Sequence, residues 1–107
     1  FAQAARLFEQ VDVLALPTAQ CWPFDVDLDW PKEIAGQSMD TYHRWMEVVV
    51  PASLIGLPAL AAPAGFGASG LPIGLQLIGP RGSDYTLLQM AEGYHSSVDW
   101  TSKRPDV

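Results

Sequence analysis

Residues 51–80 read PASLIGLPALAAPAGFGASGLPIGLQLIGP. The stretch holds no charged residue, and glycines at 56, 65, 67, 70, 74 and 79 cut it into short apolar runs. Apolar runs broken by glycine and proline are the pattern of short buried strands joined by tight turns. Residues 57–62 form one such run. In residues 71–78, Leu71, Ile73, Leu75 and Leu77 alternate with Pro72, Gly74, Gln76 and Ile78. A period of two belongs to a strand and not to a helix. Gly74 in mid-strand has no side chain to pack, so it predicts the close approach of another backbone.

Outward from this centre the period changes. Tyr42, Trp45, Met46 and Val49 fall at i, i+3, i+4 and i+7 and predict a helix over 40–50, with Asp40 placed for the helix dipole. Pro51 is expected to break or kink it, leaving 52–55 as a further turn that Gly56 caps. The aromatic stripe reads as core packing and His43 as a surface side chain. After Arg81-Gly82, Ser83 or Asp84 can cap a helix over 84–95, whose apolar stripe is Leu87, Met90, Ala91 and Tyr94. Upstream, residues 1–10 read as the end of an amphipathic helix with Phe1, Ala5 and Phe8 on one face. Residues 11–16 (VDVLAL) follow as a buried strand. The expectation is an α/β layered piece in which 11–16, 57–62 and 71–78 share one sheet. Residues 32–38 read as a polar surface loop, and Trp100 as an anchor for the tail.

The loop 18–24, TAQCWPF, leaves the carboxyl end of the first strand, where α/β sheets keep their ligands. Thr18, Cys21 and Trp22 are therefore candidate pocket residues. An ordinary loop pinned by an aromatic anchor accounts for the same residues, and both readings stand at this stage. Other signals fail. Residues 25–30, DVDLDW, alternate three carboxylates, but Trp30 and Gly36 occupy offsets that a calcium loop needs for Gly and Glu. Residues 65–70 match GxGxxG yet run into Leu71-Pro72, whereas a dinucleotide fingerprint must open a helix. No spacing recommends a Ser-His-Asp set from His43, His95 and the scattered serines. No residue is assigned a catalytic, metal-binding or cofactor-binding role.

Composition narrows the class. The 107 residues suit one small domain, and an apolar share of 49% argues against disorder. Glycine and proline interrupt every apolar window before the roughly 20 residues of a spanning helix. A net charge of −6 disfavours nucleic acid and anionic lipid as partners. Cys21 is the only cysteine and the sequence has no asparagine, so neither an internal disulfide nor an N-glycosylation acceptor exists. A cytoplasmic setting is the default. The chain opens at Phe1 without Met or signal peptide, which reads as an internal cut through a longer protein.

Three segments in order, VLALPT at 13–18, PASLIGLPAL at 51–60 and GLPIGLQLIG at 70–79, resemble the C-terminal portion of the amidase signature hydrolases. The helix from Asp84 and the tail with Trp100 and Arg104-Pro105 fit as well, so the resemblance covers nearly the whole chain. Ser53 departs from it, since many members carry Asn there. The resemblance implies hydrolysis of a carboxamide to a carboxylate and ammonia or an amine. It also implies a fold in which helices flank a mixed β-sheet. Its chemistry uses a Ser nucleophile, a second Ser in a cis peptide and a Lys, all upstream of this portion. Ser96-Ser97 lacks the Gly/Ser-rich surround, and Lys32 and Lys103 lie in polar stretches.

The expectation is that residues 1–107 are a single α/β piece of a larger amidase domain, supplying strands and pocket wall, inactive alone and without a cofactor. Cut from its sheet, the piece is expected to self-associate. The alternatives are an amidase-like subunit of a tRNA-dependent amidotransferase, with tRNA and a second protein nearby, and a catalytically silent structural module.

Overall fold

A computed structural model of the chain describes residues 1–98, 102 and 103. Its elements, in chain order, are α1 (Ala2–Leu7), β1 (Leu14–Pro17), β2 (Glu33–Ile34), β3 (Gln37–Ser38), a 3-10 segment (Tyr42–Val49), α2 (Val50–Ile55), β4 (Ala59–Phe66), β5 (Pro72–Ile78) and α3 (Asp84–Ser97). The three longer strands form one sheet in the order β1-β5-β4, with β5 antiparallel to both neighbours. The alternating run is therefore the central strand, and β1 and β4 run parallel on either side of it.

Register explains the core. Leu77 stands opposite Ala15 on one side and Leu60 on the other, so these three share a face. Gln76 stands opposite Leu16 and Ala61 on the other face. Gln76, Leu77 and Ile78 are all buried, as a central strand covered on both faces requires. α3 lies along β4, where the Tyr94 hydroxyl donates to the Pro63 carbonyl at 2.8 Å. Leu87 of α3, at 2% exposure, is the most deeply buried large side chain among the described residues. Met90, expected in its apolar stripe, is exposed.

The glycine-rich segment is a turn between strands, as its run into Leu71-Pro72 requires. Gly67 N–H donates to the Leu71 carbonyl at 2.9 Å, and Gly70 takes φ 75°. The β4–β5 register shifts between Pro63 and Gly65, a bulge in an edge strand. Proline is tolerated there because an edge strand does not need every N–H. The strands differ from expectation at their ends: β1 starts at Leu14 and takes in Pro17, and β4 extends to Phe66.

Two expectations need correction. The predicted helix over 40–50 is a 3-10 segment with non-helical dihedrals at Met46 (φ −115°, ψ 15°). The segment ends at Val49, and Pro51 sits in the first turn of the separate helix α2, where its missing N–H would have had no partner. Gly56 does close α2, in the left-handed region at φ 67°, ψ 42°. Ser53 lies exposed on that helix. The segment read as a polar loop contains the β2–β3 hairpin, whose turn residues Ala35 and Gly36 both take positive φ, 49° and 77°. Trp100 and Arg104-Pro105 fall outside the described residues.

The molecule is a slab of 41 × 38 × 19 Å. Its Cα radius of gyration is 15.7 Å, against about 13 Å for a compact domain of this length. Phe1, Leu54, Leu88 and Tyr85 are exposed. Among the described residues no helix is long and apolar enough to cross a membrane.

Candidate substrate cleft

Where β1 ends, Thr18 continues its pairing for one residue by donating from its N–H to the Gly74 carbonyl at 3.0 Å. The chain then turns away from the sheet. The loop, the 3-10 segment and the start of β5 enclose an open cleft of about 200 Å³. Thr18, Cys21 and Trp22 all line it, so the three candidates come together in one place. The remaining walls include Phe24, Trp45, Ile73 and Gly74, and no lining residue carries a charge. The cleft accordingly suits an uncharged, largely apolar group.

Gly74 does mark a close approach, but a side chain and not a backbone comes near. A Cβ built there would collide with Thr18 Oγ1 and lie 2.9 Å from Thr18 Cγ2. Trp22 is half exposed, at 50%, while its ring covers Gly67 in the β4–β5 turn. Burial pushes the Cys21 thiol above its ordinary range, because desolvation penalises the thiolate. A reactive cysteine needs the opposite shift.

Sequence reading missed the support behind the cleft. Phe24 meets Trp45 edge to face at 5.4 Å between ring centroids, and Tyr42 meets Trp45 likewise at 6.1 Å. Tyr42 in turn meets Trp30 at 6.1 Å, and the Trp30 indole donates to the Met39 carbonyl at 2.9 Å. Two glutamines fix the other side. Gln20 Nε2 donates to the Arg44 carbonyl at 3.2 Å, while its Oε1 accepts from Val48 N–H at 3.0 Å. Buried Gln76 donates from Nε2 to the carbonyls of Pro17 at 2.9 Å and Val48 at 3.1 Å. A buried glutamine on a strand with an apolar alternation was the signal available in the sequence.

Nothing in this set does acyl chemistry. Ser96 and Ser97 hydroxyls donate to carbonyls of their own helix, Glu92 at 2.9 Å and Gly93 at 3.0 Å. His43 and His95 are exposed. Lys32 lies over the Trp30 ring, 3.2 Å from its centroid, and Lys103 over Phe66 at 4.8 Å. No group of three or more His, Cys, Asp or Glu among the described residues is arranged to hold a metal ion.

The Amidase family model matches residues 2–88, most of the chain. The chain belongs to the Amidase family. Among its relatives is a glutamyl-tRNA(Gln) amidotransferase subunit from Roseiflexus sp. (strain RS-1), 42% identical over 95% of this chain and 20% of the relative. The protein of the same name from Streptococcus thermophilus (strain CNRZ 1066) is 36% identical, again over 95% of this chain and 20% of its own length. Among solved structures, 6-aminohexanoate cyclic dimer hydrolase superposes with a TM-score of 0.81 at 25% identity, covering 98% of this chain and 23% of that one. An amidase superposes with a TM-score of 0.74 at 25% identity, covering 91% of this chain and 23% of that one. The chain thus spans about a fifth of the length of the curated relatives it matches.

Proposed function

We propose that this chain forms part of the wall of an amide-hydrolysing site, as the C-terminal α/β piece of a larger cytoplasmic amidase domain. The parent would cleave a linear carbon–nitrogen amide bond, giving a carboxylate and ammonia or an amine. The observation that carries the reading is the uncharged cleft at the carboxyl end of β1, lined by Thr18, Cys21 and Trp22. The nucleophile and its base would come from elsewhere in the parent, so the chain alone is inactive. Trp22→Ala in the full-length enzyme should raise KM, or change the preference among amides, with kcat preserved. Loss of uniform binding appears in KM. Unchanged kinetics on every amide tested, with the variant folded, would reduce the loop to a structural anchor.

A second reading is an ammonia-releasing component that works beside a partner protein and tRNA. It is favoured by the names of the relatives at 36–42% identity. Both readings share amide hydrolysis and differ in substrate. Ammonia release by the full-length protein from L-glutamine, dependent on charged tRNA and a partner protein, supports the amidotransferase component. Release from simple carboxamides by the protein alone supports the free-standing hydrolase. The net charge of −6 makes this portion an unfavourable surface for tRNA in either case.

A further inference from the structure

Val48 lies four positions after Arg44 in the 3-10 segment. The Gln20 carboxamide bridges the two, accepting from Val48 N–H at 3.0 Å and donating to the Arg44 carbonyl at 3.2 Å. A side chain inserted into the i→i−4 ladder bends a helix. The bend is present between the two ends of the inserted amide, at Met46 (φ −115°, ψ 15°). Gln76, at 4% exposure, takes the Val48 carbonyl at 3.1 Å from the central strand. Both backbone groups of Val48 are thus held by side-chain amides, one from the loop after β1 and one from β5.

Trp45 sits inside the same split turn. Its indole N–H is buried without a hydrogen-bond acceptor, and its ring lines the cleft. Nothing polar fixes this ring, so its place is set by Phe24, Tyr42 and the path of its own backbone. We infer that Gln20 and Gln76 are positioning residues: by holding Val48 they split the helix and set Trp45 into the cleft wall. The inference rests on the cleft being a substrate wall only for its kinetic consequence. The positioning itself stands on the hydrogen bonds.

The test uses the full-length protein labelled with 5-fluorotryptophan, with Trp45 assigned by a Trp45→Phe variant. Gln20→Met removes both of its hydrogen bonds. Its Trp45 fluorine signal should move while that of Trp30 stays. Gln76→Met should move the same signal. Gln20→Glu keeps an acceptor for Val48 and should shift it less, and it serves where the Met variant does not fold. Leu87→Ala is the control: it lowers stability and should leave Trp45 in place. KM for benzamide and L-glutamine, whichever the protein hydrolyses, should rise about threefold or more in Gln20→Met with kcat kept, as loss of uniform binding requires. A Trp45 signal unmoved in folded Gln20→Met and Gln76→Met, or moved equally by Leu87→Ala, overturns the inference. A signal that moves without any change in KM upholds the positioning and instead removes the cleft from substrate binding.

Discussion

The Trp22 ring lies flat enough on Gly67 that a Cβ built there would be 2.9 Å from Cζ3, 3.1 Å from Cε3 and 3.2 Å from Cη2. The loop after β1 and the turn between β4 and β5 therefore meet through one indole and one missing side chain. Gly67 has no positive φ, so space alone demands glycine here. Gly67→Ala should push Trp22 off the turn at a cost of about 1 kcal/mol, the lower end for overpacking beside a half-exposed ring. Trp22→Ala removes the obstacle, so the double variant should be more stable than the two single losses predict. A double-mutant cycle by urea unfolding measures this, and strict additivity would show that the two residues do not touch.

The contact between Thr18 and Gly74 is tighter and less forgiving. Thr18 is tied by its backbone to the Gly74 carbonyl, so its side chain cannot back away from an added methyl. Gly74→Ala should destabilise by about 1–3 kcal/mol, the usual range for a methyl forced into occupied space. Thr18→Ala in the same chain should restore most of the loss, because it removes both Oγ1 and Cγ2. Thermal unfolding of the three variants checks this, and a Gly74→Ala chain that melts with the wild type would contradict the packing.

How much of this was readable follows from the reach of each signal. The central strand, its turn and α3 announce themselves within ten or fifteen residues, because periodicity and glycine punctuation are local. The split at Met46 does not. Tyr42, Trp45, Met46 and Val49 keep perfect helical spacing, and the reason the helix fails is Gln20, which arrives from far upstream in the chain. Pro51 was a local signal: the 3-10 segment ends at Val49 and Pro51 stands in the first turn of α2, which Gly56 closes. The cleft residues Thr18, Cys21 and Trp22 were legible from their place after a strand. Their walls, Phe24 and Trp45, come together only through the tertiary fold.

Cys21 supplies a pH-dependent readout of the cleft. Its thiol is held above the ordinary value of 9.0 by burial, so the folded chain keeps this proton more tightly than the unfolded chain does. The contribution to stability is level below pH 9.0 and declines as pH rises from there through the folded-state value. Since the thiolate is the reacting species, iodoacetamide at pH 8 should label Cys21 more slowly in the native chain than in urea. Mass spectrometry follows the two rates directly. Equal rates would mean that the thiol stands in open solvent.

The exposed apolar side chains bear on how the chain behaves in isolation. Phe1 is 66% exposed and lines, with Ala4, Phe8, Leu57 and Pro80, a largely apolar hollow of about 300 Å³ beside α1, to which Glu9 and Arg81 add the charged part of the wall. Leu54 and Leu88 are exposed on α2 and α3, and the sheet ends in two edge strands, β1 and β4. Unpaired edges and apolar faces together favour association with another copy. Pro63 and the bulge before Gly65 protect part of β4, whereas β1 has no such device before Pro17. Self-association of the 107-residue chain is therefore expected through the α1 hollow and the β1 edge. Phe1→Ser with Leu7→Ser, both on exposed positions of the first helix and its cap, should weaken it without unfolding the sheet. Light scattering across a concentration series, read beside circular dichroism, decides the matter: a wild-type chain that stays monomeric at high concentration removes the prediction.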